Sequence, residues 1–80
     1  MILQQSVAQR IVQICRQRKI SYYKLSYLSA VPLTTILHII DGATKNTGIS
    51  TISKICDGLG MSLADFFDSE EFMGVDYEEN

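Results

Sequence analysis

The chain has 80 residues, a formal net charge of −2 and hydrophobic side chains at 46% of its positions. This length provides one domain with a small core, and no apolar run approaches the roughly 20 residues that span a bilayer. Residues 1–5 also lack the charged start of a signal peptide, so we expect a cytoplasmic protein with no membrane segment.

Charge is distributed unevenly along the chain. Residues 1–60 contain all seven basic residues and two of the nine acids, which gives this part a formal charge of +5. Residues 61–80 contain the other seven acids and no base. This distribution is compatible with a basic face towards phosphate and an acidic end towards solvent or a partner, although charged surfaces also serve solubility alone. Charge therefore leaves both interpretations open.

The two cysteines, Cys15 and Cys56, lie on separate predicted helices, without a Cys or His at metal-ligand spacing. This pattern fits neither a zinc site nor a disulfide framework. We expect two reduced thiols in or near the interior, and we expect no metal and no other cofactor.

The first predicted helix covers about residues 6–18. Val7, Ile11 and Ile14 form an apolar stripe at helical spacing. Ser6 is the predicted N-cap, because a hydroxyl there accepts a hydrogen bond from a free backbone N–H group.

Two short apolar-periodic segments follow, separated by a break at residues 29–31. The first begins after the predicted N-cap Ser21, and the second runs over residues 32–40. Their apolar positions recur at spacings of three and four: Leu25 and Leu28, then Ile36, Ile39 and Ile40. This periodicity predicts two helices joined by a sharp turn, the arrangement by which a helix-turn-helix presents its second helix to a DNA major groove.

The rest of the chain predicts two more helices. Gly42 ends the third helix, and a polar loop at residues 43–48 leads to a fourth helix over about residues 49–59. Ser62 caps a short fifth helix that ends near residue 67. With no strand pattern, the fold class is all-α. Residues 68–80 mix acids with apolar side chains, and they are either a disordered acidic tail or a partner-docking strip.

Over residues 10–67 the chain resembles the lambda-repressor-like, or Xre, family of small bacterial and phage helix-turn-helix domains. No single motif carries the resemblance, which lies in the joint order of core and cap positions. The matching residues are Ile11, Ile14, Ser21, Leu25, Leu28, Val31, Thr35, Ile36, Ile39, Gly42, Lys54 to Gly60, Ser62, Leu63, Phe66 and Phe67. Pro32 departs from the pattern, because many relatives have a capping Ser or Thr there; we expect it in the first helical turn.

The resemblance implies a compact five-helix bundle at residues 1–67 that acts as a sequence-specific transcriptional regulator. We expect a repressor that binds double-stranded DNA as a homodimer. Dimer contacts in this architecture usually involve the last helix. The candidate interface residues are therefore Phe66, Phe67, Phe72 and Met73.

In this family the N-terminal part of the third helix enters the major groove. The implied base contacts are Leu33, Thr34, Leu37 and His38. This helix lacks the Arg, Asn and Gln residues that commonly read guanine and adenine, so we expect leucine contacts with thymine methyl groups and hydrogen bonds from Thr34 and His38. Burial of Leu37 and an exposed His38 without a role are the alternatives.

Phosphate contact needs only donors and positive charge near helix ends. The start of the second helix offers backbone N–H groups and phenolic hydroxyls, and the family places the third helix and its following loop on the other side. The predicted phosphate contacts are Ser21, Tyr22, Tyr23, Thr35, Lys45, Asn46 and Thr47. Packing of Tyr23 or Tyr27 against the core is the alternative.

A second hypothesis is a protein-interaction module, such as an antirepressor, antitoxin or adaptor. Its docking surface is the apolar face of the same helix, because an exposed Leu33, Leu37 and Ile40 serve an interface better than a solvated surface. An enzyme is not expected: the chain has one His and no glycine-rich phosphate loop, and its carboxylates cluster near the C-terminus. We predict no small-molecule ligand.

Overall fold

Five α-helices and a 3-10 helix form the part of the chain that the computed structural model describes, residues 2–76. The elements are α1 (Leu3–Arg18), α2 (Tyr22–Ser29), α3 (Leu33–Ile40), α4 (Ile49–Leu59), α5 (Leu63–Phe67) and the 3-10 helix (Glu70–Phe72). Extended pairing within residues 2–76 is limited to one parallel bridge between Ile2 and Asp76. The predicted all-α class and the order of five helices are confirmed.

The start of α1 differs from the prediction. The helix begins at Leu3, with Ile2 as its N-cap and no side-chain cap. Ser6 lies inside the helix and is fully buried, and its hydroxyl donates to the Ile2 carbonyl at 3.4 Å. The assignment of Ser6 as the N-cap is therefore wrong, because the helix begins three residues earlier. The Ser6 hydroxyl bonds the main-chain carbonyl four residues before it instead of a free N–H group.

The core lies between the inward faces of the five helices, and each fully buried Leu, Ile or Phe stabilises it by about 1.5–3 kcal/mol. Its buried apolar side chains are Val7, Ile11, Ile14, Cys15, Leu25, Val31, Ile36, Ile39, Ile52, Ile55, Cys56, Leu59 and Phe66. The apolar stripes predicted for the first and third helices therefore face the core. Leu28, by contrast, remains 41% exposed.

A glycine allows α2 and α4 to cross closely. A β-carbon at Gly58 would lie 2.7 Å from the Cα of Ser29 and 2.8 Å from the carbonyl carbon and oxygen of Leu28. These atoms belong to the main chain and cannot rotate away. Gly58 is therefore required for the packing of the helix-turn-helix against α4, a role that helix propensity alone does not reveal.

Two arginines cap helix ends far away in the sequence. Arg10 donates from Nε to the Phe66 carbonyl at 2.7 Å and from a terminal nitrogen to the Asp65 carbonyl at 2.8 Å. Its guanidinium also lies 5.9 Å from the centroid of the Phe66 ring. Arg18 donates to the Leu59 carbonyl at the end of α4. Part of the basic charge therefore stabilises helix C-termini.

Residues 68–76 pack on the body of the protein. Phe72 lies 4.8 Å from Phe67 and 6.0 Å from Phe66 between ring centroids. Ser69 caps the 3-10 helix by accepting from the Glu71 N–H group. Residues 68–76 are thus packed against α5, and their role as a partner-docking strip stays a prediction. Residues 77–80 of the predicted tail lie outside the described residues.

Candidate nucleic-acid interface

Two serines fix the turn between α2 and α3. The Ser26 hydroxyl donates to the Val31 carbonyl at 2.7 Å. The Ser29 hydroxyl donates to the Leu25 carbonyl at 2.7 Å and accepts from the Val31 N–H group at 3.3 Å. Both serine hydroxyls thus bond main-chain groups within or next to the turn, which fixes its conformation locally. The spacing of Ser26 and Ser29 could have indicated these hydrogen bonds, but the sequence interpretation did not use it.

The turn lies one residue later than predicted. Ser29 is the last residue of α2, and Ala30 takes the left-handed conformation with φ 59°. Pro32 is the N-cap of α3 rather than a residue of its first turn. Since proline has neither an N–H group nor a polar side chain, no side chain caps the first N–H groups of α3. These groups point along the axis of the helix towards any ligand at its start.

The outward face of α3 is exposed. Ile36 and Ile39 point into the core, which turns Thr34 and His38, four residues apart, towards solvent. Leu37 is 40% exposed, and Leu33 is half-buried. Of the four predicted base-contact positions, Thr34, Leu37 and His38 therefore lie on the side of α3 that faces away from the core, and Leu33 lies at its start. The alternative that Leu37 is buried is wrong.

The start of α2 combines free amides with an exposed phenol. The Ser21 hydroxyl oxygen accepts from the Lys24 N–H group at 3.0 Å, so it acts as the predicted N-cap. Tyr22 is half-buried against the core, whereas Tyr23 is 72% exposed. The Lys24 ammonium lies 5.3 Å from the centroid of the Tyr27 ring. Tyr23 and Lys24 are therefore accessible at this helix start, as is the capping residue Ser21.

The loop between α3 and α4 is tied to the first helix. Gln4 donates from Nε2 to the Thr47 hydroxyl at 2.7 Å and accepts the Thr47 N–H at 2.8 Å. Thr47 is therefore occupied in positioning the loop, and Lys45 and Asn46 are the exposed side chains beside it. Gln4 was missed because no local pattern links positions that are 43 residues apart. Thr35, the remaining predicted phosphate contact, is half-buried.

The predicted dimer residues separate into two groups. Phe66 has no exposed surface and packs the core of the monomer, so its assignment to a subunit interface does not agree with its position. Phe67 and Phe72 are half-buried against it, and Met73 is 77% exposed. Of the four predicted dimer residues, Phe67, Phe72 and Met73 have surface that a second subunit could contact.

Both cysteines of residues 2–76 are buried free thiols. Burial raises the pKa of the Cys15 and Cys56 thiols above the ordinary value, which keeps both protonated and unreactive at neutral pH. Within the described residues, no three His, Cys, Asp or Glu side chains come together in a way that could hold a metal ion. No helix in this range is long and apolar enough to cross a bilayer.

The family model of the Cro/C1-type HTH DNA-binding domain matches residues 10–71, from the middle of α1 into the 3-10 helix. Comparisons with curated proteins and with solved structures gave no match. The matched range contains the whole helix-turn-helix, its turn, and the loop after α3. The resemblance found in the sequence is confirmed: the chain belongs to the Cro/C1-type HTH DNA-binding domain family and is a DNA-binding regulator.

Proposed function

We propose that the protein is a sequence-specific transcriptional repressor that inserts α3 into the major groove of its operator. The observation that supports this most directly is the exposed outward face of α3, with Thr34 and His38 on one side of a helix whose opposite side is buried. In the helix-turn-helix arrangement this face meets base edges.

Base recognition rests on few polar groups. The Thr34 hydroxyl both donates and accepts, a neutral His38 ring presents one donor and one acceptor, and Leu33 and Leu37 offer methyl groups. Leucine methyls fit the C5-methyl group of thymine, so we expect thymine opposite these side chains in the preferred site. The absence of a bidentate Arg, Asn or Gln on α3 gives a modest preference per base pair.

Phosphate contacts hold α3 in the groove from two sides. On one side, the first N–H groups of α2 and the exposed Tyr23 face a phosphate, with Ser21 and the half-buried Tyr22 next to them. On the other side, Lys45 and Asn46 extend from the loop that Gln4 and Thr47 hold in place. In this arrangement Thr47 positions the loop.

The repressor acts as a homodimer on two related half-sites. A single α3 contacts only a few base pairs, and a two-fold pair doubles the number that are read. The exposed Met73 and the half-buried Phe67 and Phe72 are the candidate contact residues. A dimer of this kind requires the operator to be a near-palindrome.

Selection from random DNA duplexes, followed by binding measurements at several salt concentrations, tests this function. We expect a recurring near-palindromic site and an affinity that falls steeply with salt, because Lys and phosphate contacts release counterions. The double variant Thr34→Ala/His38→Ala should keep the salt dependence and lose the sequence preference. No retained duplex even at low salt, or retention without any preferred sequence, would contradict the proposal.

The exposed leucine surface supports a second candidate function. Leu37 is 40% exposed next to the half-buried Leu33, which suits a protein-docking surface as well as a thymine contact. An antirepressor, antitoxin or adaptor would use this surface for a protein partner. Leu37→Asp separates the two functions: loss of DNA binding favours the repressor, whereas loss of a protein partner with unchanged DNA binding favours the docking module.

A further inference from the structure

The side of α2 opposite the core carries two exposed tyrosines. Leu25 and Ser29 are buried and turn one side of this helix inwards. Tyr23 and Tyr27, four residues apart, lie on the other side. Tyr27 is 76% exposed, so its ring adds little to the core. The packing of the monomer therefore does not account for an aromatic residue at this position.

Lys24 is held next to Tyr27. Its ammonium lies 5.3 Å from the centroid of the Tyr27 ring, a distance at which the face of an aromatic ring attracts a cation. The two residues are three positions apart and are neighbours on the helix surface, where both are exposed. The pair therefore presents a positive charge and a phenolic hydroxyl donor on one turn of α2.

The charge around this pair favours an anionic partner. Residues 1–40, which include α1, α2 and α3, contain five bases and no acid. The neighbouring helix α4 adds one exposed charge of each sign on its middle turns, Lys54 and Asp57. A sugar-phosphate backbone, which takes hydrogen-bond donors and positive charge, matches this surface.

The direction of α2 brings the pair towards DNA. In a helix-turn-helix the first helix crosses the DNA backbone, and the start of α2 is already a phosphate contact in the proposed complex. Helical side chains lean towards the N-terminus, so Tyr27 leans towards Tyr23 and the helix start. One turn, about 6 Å along the axis, separates the two tyrosines. Tyr27 and Lys24 therefore extend the contact at Tyr23 along the strand.

We propose that Tyr27 and Lys24 form a second phosphate contact on α2, one turn after the contact at Tyr23. This inference rests on the proposed function. The Tyr27 hydroxyl donates to a phosphate oxygen, and the Lys24 ammonium neutralises the same phosphate. The ring holds the ammonium in place before DNA binds, which reduces the side-chain entropy lost on binding. The contact reads no base, and it fixes the position of α2 and with it the position of α3 in the groove.

Three single variants test this contact. Tyr27→Phe removes the hydroxyl and keeps the ring, and Lys24→Gln removes the charge. Lys54→Gln is the control, because it makes the same change at an exposed position of α4, outside the helix-turn-helix. Fluorescence anisotropy with the duplex obtained by selection, and with a scrambled duplex, gives each affinity over a range of salt concentrations. Thermal unfolding checks that each variant is folded.

We expect Tyr27→Phe to weaken binding to both duplexes about tenfold and to leave the preference between them unchanged. Lys24→Gln should also weaken binding to both. It should reduce the slope of log affinity against log salt concentration by about 0.9 for each bound subunit. Lys54→Gln should leave this slope unchanged, because a side chain that touches no phosphate releases no counterion.

A neutral methylphosphonate, placed at one position of the selected duplex at a time, locates the contact. At one phosphate of each half-site we expect this replacement to weaken binding of the unmodified protein and to cause little further loss with Lys24→Gln. Additive losses at every position would overturn the contact, because groups that touch each other lose their interaction only once.

The remaining outcomes separate the inference from the proposed function. Equal salt slopes for Lys24→Gln and Lys54→Gln, or a Tyr27→Phe variant that binds like the unmodified protein, would overturn the contact. This side of α2 would then be left to a protein partner, and the proposed function would stand. Selection that yields no preferred duplex would contradict the proposed function, and the inference with it.

Discussion

On the inner side of the helix-turn-helix, α2 approaches α4 so closely that a β-carbon at Gly58 would lie 2.7 Å from the Cα of Ser29. On the outer side, Thr34 and His38 of α3 face solvent. On the inner side, packing therefore restricts which residue fits. On the outer side, packing does not restrict the residue type, which can instead be set by the ligand. We expect stability to depend on the inner side and DNA recognition on the outer side, with little overlap between the two.

The largest effect is expected for Gly58→Ala. Helix propensity alone predicts a gain of about 1 kcal/mol in the free energy of unfolding, because Gly58 lies inside α4. The contact with the main chain of α2 predicts the opposite, a loss of about 3 kcal/mol, since backbone atoms cannot move aside without separating the helices. Urea unfolding followed by circular dichroism measures the sign.

Gly48→Ala is the matched control for this prediction. A β-carbon at Gly48 would have no atom within 4 Å, and its φ of −64° suits any residue. This variant should change the free energy of unfolding by less than about 1 kcal/mol, the size of an N-cap effect. A stabilised Gly58→Ala variant, or equal losses for the two variants, would contradict the close approach of α2 to α4.

Arg10→Lys separates structural charge from charge that serves DNA. The variant keeps the positive charge but loses the fork that bonds the Phe66 and Asp65 carbonyls. We expect the free energy of unfolding to fall by about 1–2 kcal/mol, because two carbonyls at the end of α5 lose donors. DNA affinity at low salt should stay within about twofold of the original, since the net charge is unchanged.

Arg16→Lys provides the comparison for the arginine prediction. Arg16 is exposed in the last turn of α1. Its replacement should change stability by less than about 0.5 kcal/mol, as is usual for surface substitutions. Equal losses from Arg10→Lys and Arg16→Lys would show that the bonds to α5 contribute nothing measurable.

The accuracy of the sequence predictions followed the range of the interactions involved. Helix order and the caps at Ser21 and Ser62 were predicted correctly, because a cap joins residues three positions apart. The bonds from Arg10 to α5 span more than fifty residues, and the bonds between Gln4 and Thr47 span 43, so no local pattern revealed them. Phe66 was placed at a dimer contact because the resemblance assigns that role to the last helix, and no local pattern showed that its side chain packs in the core.

Ala30→Gly is expected to stabilise the protein, because Ala30 connects the inner and outer sides in a left-handed conformation. Among the described residues, Lys19 and Ala30 are the only non-glycine residues with positive φ, at 56° and 59°. Relief of this strain outweighs the larger chain entropy of glycine, for a net gain of about 0.5–1 kcal/mol in the free energy of unfolding. Thermal unfolding measures it. Ala43→Gly, at a position without positive φ, should give no gain, and a gain of equal size there would remove strain as the cause.

Thr34→Ala has the smallest expected effect on stability and is the sharpest test of the division between the two sides. Thr34 is exposed, so its loss should change the free energy of unfolding by less than about 0.5 kcal/mol. In the proposed complex its hydroxyl bonds a base edge, and losing one such bond should reduce the preference for the selected site about fivefold.

Thr35→Ala distinguishes base contact from phosphate contact on the same helix. Thr35 is half-buried and is a phosphate contact predicted from the sequence, so its variant should weaken binding to all sequences by a similar factor and leave the preference unchanged. Competition between the selected site and a scrambled duplex measures both quantities. If Thr34→Ala lowers the free energy of unfolding as much as it lowers the free energy of DNA binding, the outer face of α3 also stabilises the fold. The residues on that face would then be constrained by folding as well as by the operator.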